Sequence, residues 1–136
     1  EQHKTKLGLI GAGTIGKRHL QAISEVAEAE LVAIVDTDPL AEGPATKANT
    51  RFFSSTRQML REMQPHGVIV CTPTEDHLKP VLASIEHNTH VLVEKPIAPS
   101  LDQAQQIVEH SKRFNKQVLV GITGAIRNRY SKQNEL

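Results

Sequence analysis

The chain has a single cysteine, no tryptophan, one tyrosine and three phenylalanines. One thiol, Cys71, cannot close an internal disulfide, which excludes a disulfide-stapled scaffold and fits a reducing compartment. Few aromatics and a formal net charge of +1 leave neither the stacking surface nor the basic field that nucleic acid binding needs. No apolar run approaches the roughly 18 residues that span a bilayer, and no basic patch followed by an apolar stretch marks a signal peptide. The expected location is the cytoplasm, away from membranes. Histidines are scattered; His87 and His90 lie three apart, but zinc would need further ligands at readable spacing, so no metal is expected. What is present is ordinary: 136 residues, 38% hydrophobic and 23% charged, enough for one domain around one core.

Against that background one segment stands out. The apolar run Leu7-Gly8-Leu9-Ile10 is followed by Gly11-Ala12-Gly13-Thr14-Ile15-Gly16, and Asp36 stands 20 residues beyond Gly16. Glycine-rich turns are common, and such a triplet alone could serve packing only. Set between an apolar strand and a helical pattern, with an acid at that distance, it points to a dinucleotide. Gly11 would allow the tight turn, Gly13 the approach of backbone to a pyrophosphate, and Gly16 close packing of helix on sheet. The helix N-terminus at Thr14, Ile15 and Gly16 would offer unpaired N–H groups to the phosphates, and Arg18 could touch one. A carboxylate at Asp36 can accept hydrogen bonds from ribose hydroxyls and repels a 2′-phosphate. No arginine stands beside it, so the pattern favours NAD over NADP.

Strand and helix signals alternate along the rest. Strands are expected at 7–10, 31–35, 51–53, 68–71, 90–93 and 118–120, from short β-rich apolar runs. A first helix would carry Leu20, Ile23, Val26 and Ala27 on its apolar face, and others would run over Leu60 and Met63, over Leu78 to Ile85, and over Leu101 to Val108. Ser55 with Gln58, and Ser100 with Gln103, have capping-box spacing. Alternation of this kind implies an α/β fold, a doubly wound six-stranded parallel sheet of the Rossmann type, in order 3-2-1-4-5-6. The winding reverses between strands one and four, so the glycine loop and Thr72-Pro73 should face one crevice. The domain is expected to occupy residues 1–121, with 122–136 as an exit segment.

Cys71-Thr72-Pro73, His77 and the stretch His90-Val91-Leu92-Val93-Glu94-Lys95-Pro96-Ile97-Ala98, together with the glycine loop, His19 and Asp36, resemble the Gfo/Idh/MocA oxidoreductases. The resemblance covers residues 6–121, and its Glu-Lys-Pro segment is more specific than the glycine loop. It implies that Lys95 reaches the nicotinamide and the reacting hydroxyl as the catalytic residue. Glu94 would position neighbours, and Pro96 would follow a cis peptide that aims Lys95. Thr72 and Pro73, with Cys71 beside them, would pack near the nicotinamide ribose, and His77 would join them from the next helix. From the residues alone, Cys71 reads as a small buried side chain rather than a nucleophile. Thr74 stands where the family often has Asn. The resemblance also implies a second α/β domain that forms the substrate wall and a subunit interface; this chain stops about where that would begin. The expectation is therefore the NAD-binding half of an enzyme moving hydride to or from a sugar, inositol or related polyol, with homo-oligomerisation left open. The alternative is a non-catalytic, NAD-binding regulatory module that controls protein association.

Overall fold

The computed structural model describes residues 4–11 and 13–121. The strands are β1 (Thr5–Ile10), β2 (Ala29–Val35), β3 (Arg51–Phe53), β4 (Gly67–Val70), β5 (His90–Val93) and β6 (Val118–Val120). Between them run α1 (Thr14–Ser24), α2 (Glu42–Lys47), α3 (Thr56–Met63), α4 (Leu78–Glu86) and α5 (Leu101–Phe114). Short 3-10 turns at Pro39–Ala41 and Thr74–Asp76 precede α2 and α4. All strand pairs are parallel, and the sheet order is β3-β2-β1-β4-β5-β6, the doubly wound order expected.

The central strands are apolar because helices cover both faces. Every residue of β4 is buried, and its side chains alternate between two cores. Val68 and Val70 join Met59, Leu60, Val81, Ile85 and Ile107 under α3, α4 and α5. Ile69 joins Leu9, Ile34 and Ile23 on the α1 side. A continuous Val/Ile run, rather than a polar–apolar alternation, is what two covered faces require. Ser55 and Ser100 cap α3 and α5, each accepting from the backbone N–H three residues on, at 3.2 Å. The reciprocal half of the α3 capping box is replaced: Gln58 Nε2 donates to Glu62 Oε2 at 2.7 Å along the helix face.

Several boundaries differ from expectation. Helix α1 ends at Ser24, before Val26 and Ala27, because the chain is already turning back. Val26 N–H donates to Ile23 O at 3.0 Å, and Ala29 N–H to Val26 O at 3.2 Å, at the start of β2. Both β1 and β2 begin two residues earlier than their apolar runs, since Thr5 pairs with Ala29 at the sheet's entry edge, where polar side chains reach water. Cys71 lies one residue past β4, although its N–H still donates to Ile10 O at 2.8 Å. The expected exit segment, 122–136, lies outside the described residues.

Candidate functional site

Chain direction and sheet order place the carboxyl ends of β1, β2, β4 and β5 along one rim. A crevice of about 980 Å³ opens there, lined by Gly11, Gly13, Asp36, Cys71, Thr72, Pro73, His77, Glu94 and Lys95 among others. Strand ends converge where the crossovers diverge to opposite faces, and this leaves the gap between β1 and β4 uncovered.

Gly11 makes the turn out of β1 with φ +89°, and its N–H donates to Val35 O at 2.7 Å. A Cβ there would lie 2.9 Å from Thr72 N and 3.0 Å from Cys71 C, so the β1 and β4 loops touch because this residue lacks a side chain. Gly13 precedes α1 and serves as its N-cap without a side-chain hydrogen bond; no acidic residue occupies the helix's first turn. Among the described residues a Cβ on Gly13 would meet nothing within 4 Å, projecting instead into open space on the crevice side. Open space at that point, in front of helix N–H groups, fits a pyrophosphate. Thr14, Ile15 and Gly16 form the first turn of α1. Their surroundings, and the close packing expected of Gly16, lie outside the described residues, as does Ala12.

Asp36 follows β2. Its N–H donates to Phe53 O at 3.1 Å, and its Oδ1 accepts from Asp38 N–H at 2.9 Å. This Asx turn fixes the carboxylate at the crevice wall. From the end of β2 to the end of β5 is three strand spacings, roughly 14 Å, the scale of an extended dinucleotide. At the β5 end, Lys95 is exposed, Glu94 is partly buried, and the Lys95–Pro96 peptide bond is cis. His19, on the inner face of α1, donates from Nε2 to Glu94 Oε1 at 2.9 Å.

His77 is buried and lines the crevice at the start of α4. Its Nε2 stands 2.8 Å from Thr72 O and its Nδ1 3.2 Å from Ile97 O. With both nitrogens facing backbone carbonyls, it fastens the two loops together instead of presenting a polar atom to a ligand. A ring with one proton serves one carbonyl at a time. Thr72 Oγ1 is likewise used within the loop, donating to Asp76 O at 3.2 Å. Burial, and next the charge of Glu94, push the Cys71 thiol up to about 12, so it is neutral and a poor nucleophile.

Gly11, Gly13, Asp36, Cys71, Thr72, Pro73, His77, Glu94 and Lys95 are thus brought to one rim, while Pro96 does not line it and His19 works behind it. Sequence reasoning missed Ser54, Thr56, Lys79 and Gln103, which also line the crevice. Ser54 and Thr56 could have been found, since they directly follow β3 at the same rim. Gln103 gave no such signal beyond its capping position; its Oε1 is buried without a hydrogen-bond partner among the described residues. No group of three or more metal-ligating side chains occurs among the described residues. No described helix is long and apolar enough to cross a membrane.

Known proteins place this architecture. The Gfo/Idh/MocA oxidoreductase family, described by its NAD-binding Rossmann fold, matches residues 5–122. Glucose-6-phosphate 3-dehydrogenase of Bacillus subtilis is 31% identical over 117 residues, covering 85% of this chain and 33% of that protein. Myo-inositol 2-dehydrogenase of Thermotoga maritima is 25% identical over 132 residues, covering 96% of this chain and 40% of its own. The WlbA dehydrogenase of Bordetella pertussis, solved with NADH and UDP-GlcNAcA, superposes with a TM-score of 0.83 at 30% identity, covering 87% of this chain and 37% of that one. The chain therefore spans between a third and two fifths of the length of these relatives. Family match, strand order and glycine loop agree: this chain belongs to the Gfo/Idh/MocA oxidoreductases, as their NAD-binding Rossmann domain.

Proposed function

We propose that this chain is the cofactor-binding part of an NAD-dependent dehydrogenase acting on a sugar, inositol or related polyol. The observation that carries this reading is the placement of Asp36 and Lys95 on one crevice rim, on either side of the β1–β4 switch point. The polyol class is supported by relatives named as glucose-6-phosphate and myo-inositol dehydrogenases.

Gly11 and Gly13, with the first turn of α1 at Thr14, Ile15 and Gly16, would hold the pyrophosphate; Asp36 would hold the adenosine ribose. Cys71, Thr72 and Pro73 would wall the nicotinamide ribose. When bound, NAD supplies a hydride acceptor at its nicotinamide ring. Lys95 would then hydrogen-bond the substrate hydroxyl and help move its proton. Glu94, held by His19, and Pro96 would keep the Lys95 backbone in place, while His77 would join the two loops.

The carboxylate of Asp36 selects NAD over NADP, because a 2′-phosphate would meet it at close range. The test is binding of NADH to the chain, followed by transfer of nicotinamide fluorescence, with NADPH in parallel. Saturable NADH binding that weakens on Asp36→Ala supports the reading; no binding of either cofactor overturns it.

A further inference from the structure

The segment that carries Lys95 has little backbone support of its own. Among the described residues, β5 ends at Val93, and Glu94 N–H makes a long 3.4 Å bond to Val70 O. No backbone–backbone hydrogen bond then ties residues 95–99. Among the described contacts, two side chains flank Lys95 instead: His77, whose Nδ1 stands 3.2 Å from Ile97 O and whose Nε2 stands 2.8 Å from Thr72 O, and His19, whose Nε2 donates to Glu94 Oε1 immediately before Lys95.

His19 is unusual for its place. It projects from the helix whose N-terminus faces the proposed phosphate position, and its partner lies 75 residues away at the opposite side of the switch point. The imidazole is 2% exposed and the Glu94 side chain 16%. A hydrogen bond to a carboxylate at 2.9 Å, sheltered from water, is among the stronger single contacts a loop can have. A buried polar ring in that position would be a liability without this bond.

We propose that His19 is a positioning residue for Lys95: by holding Glu94, it sets where the lysine stands relative to the nicotinamide, without itself touching the cofactor. This rests on the NAD reading above, and it makes a distinction that a merely structural role would not. Loss of the hold should be felt at the nicotinamide end of the crevice and not at the adenosine and phosphate end.

The experiment compares NADH with ADP-ribose, which lacks the nicotinamide, on the 136-residue chain. His19→Ala should weaken NADH by about tenfold, the size of one charged hydrogen bond, and change ADP-ribose by less than about twofold. His19→Gln, whose amide N–H can still reach Glu94, should restore most of the NADH affinity and the fluorescence of the bound nicotinamide. Should His19→Ala fail to fold, Glu94→Gln carries the same comparison from the partner's side, with a smaller but still nicotinamide-selective loss. Equal losses for both ligands, no loss for either, or no recovery with His19→Gln would overturn the proposal. If the wild type binds neither ligand, the NAD reading falls and this inference with it; if it binds both, the variants decide the inference alone.

Discussion

A Cβ on Gly11 would stand 2.9 Å from the backbone nitrogen of Thr72. The loops leaving β1 and β4 are in backbone contact, and the obstacle is main chain that no rotamer change can move. Gly11→Ala should therefore destabilise the fold, by at least about 2 kcal/mol, from the positive φ and the contact together. Urea unfolding of the variant beside the wild type checks this. An unchanged midpoint would mean that the two loops can part without cost.

Asp36 should discriminate between cofactors rather than support the fold. Its carboxylate is held by Asp38 N–H at the crevice wall, so Asp36→Ala should weaken NAD by several-fold and leave NADP unchanged or tighter. Competition between the two cofactors on the variant reads the ratio directly. A parallel loss for both would assign Asp36 to the turn alone.

Cys71 should be inert to alkylation. Burial and the neighbouring Glu94 charge raise its thiol from the ordinary 9.0 to about 12, so the folded state holds this proton more tightly than the unfolded chain. The sign follows: stability is undiminished below about 9 and falls as pH rises from there toward about 12. Mass spectrometry after iodoacetamide treatment should find no adduct at neutral pH and a complete one after denaturation. Rapid labelling of the folded chain at neutral pH would contradict the raised thiol.

Lys95 should matter for turnover far more than for affinity. The 136-residue chain should bind NAD yet oxidise no polyol, because orienting bound reactants can supply roughly 7–11 kcal/mol of a barrier reduction and an open crevice offers little of it. In any longer protein carrying this sequence, Lys95→Ala should lower kcat by orders of magnitude, far more than the roughly tenfold it costs NAD affinity. NADH formation across a polyol panel measures both. Robust turnover by this chain alone, or an unaffected Lys95→Ala enzyme, would contradict the catalytic assignment, and the latter result would favour a regulatory module.

Sheet order and the rim of the crevice were legible because they depend on local signals. Apolar runs at 68–70 and 90–93, the glycine loop and an acid after β2 are each readable within a few residues, and the parallel topology then brings their ends together. Boundaries were less legible: α1 stops at Ser24 because of a turn that Val26 and Ala27, by their apolar character, gave no sign of. Least legible were contacts across the fold. His19 reaches Glu94 over 75 positions, and His77 sets its two ring nitrogens beside the carbonyls of Thr72 and Ile97. Nothing in spacing says whether a histidine near a cofactor loop faces the ligand or fastens the loop. Packing decides it, and packing is set by the whole sheet.

Gly13, the N-cap of α1, is proposed to mark a place for phosphate. Among the described residues a Cβ there meets nothing within 4 Å, so Gly13→Val should fold, losing at most about 1 kcal/mol at the N-cap, yet its side chain would occupy the pyrophosphate's approach. Calorimetric titration of NAD into the wild type and Gly13→Val tests this most directly. Saturable one-to-one binding by the wild type and none by a folded Gly13→Val variant are expected. A folded variant that binds NAD as tightly as the wild type would contradict this.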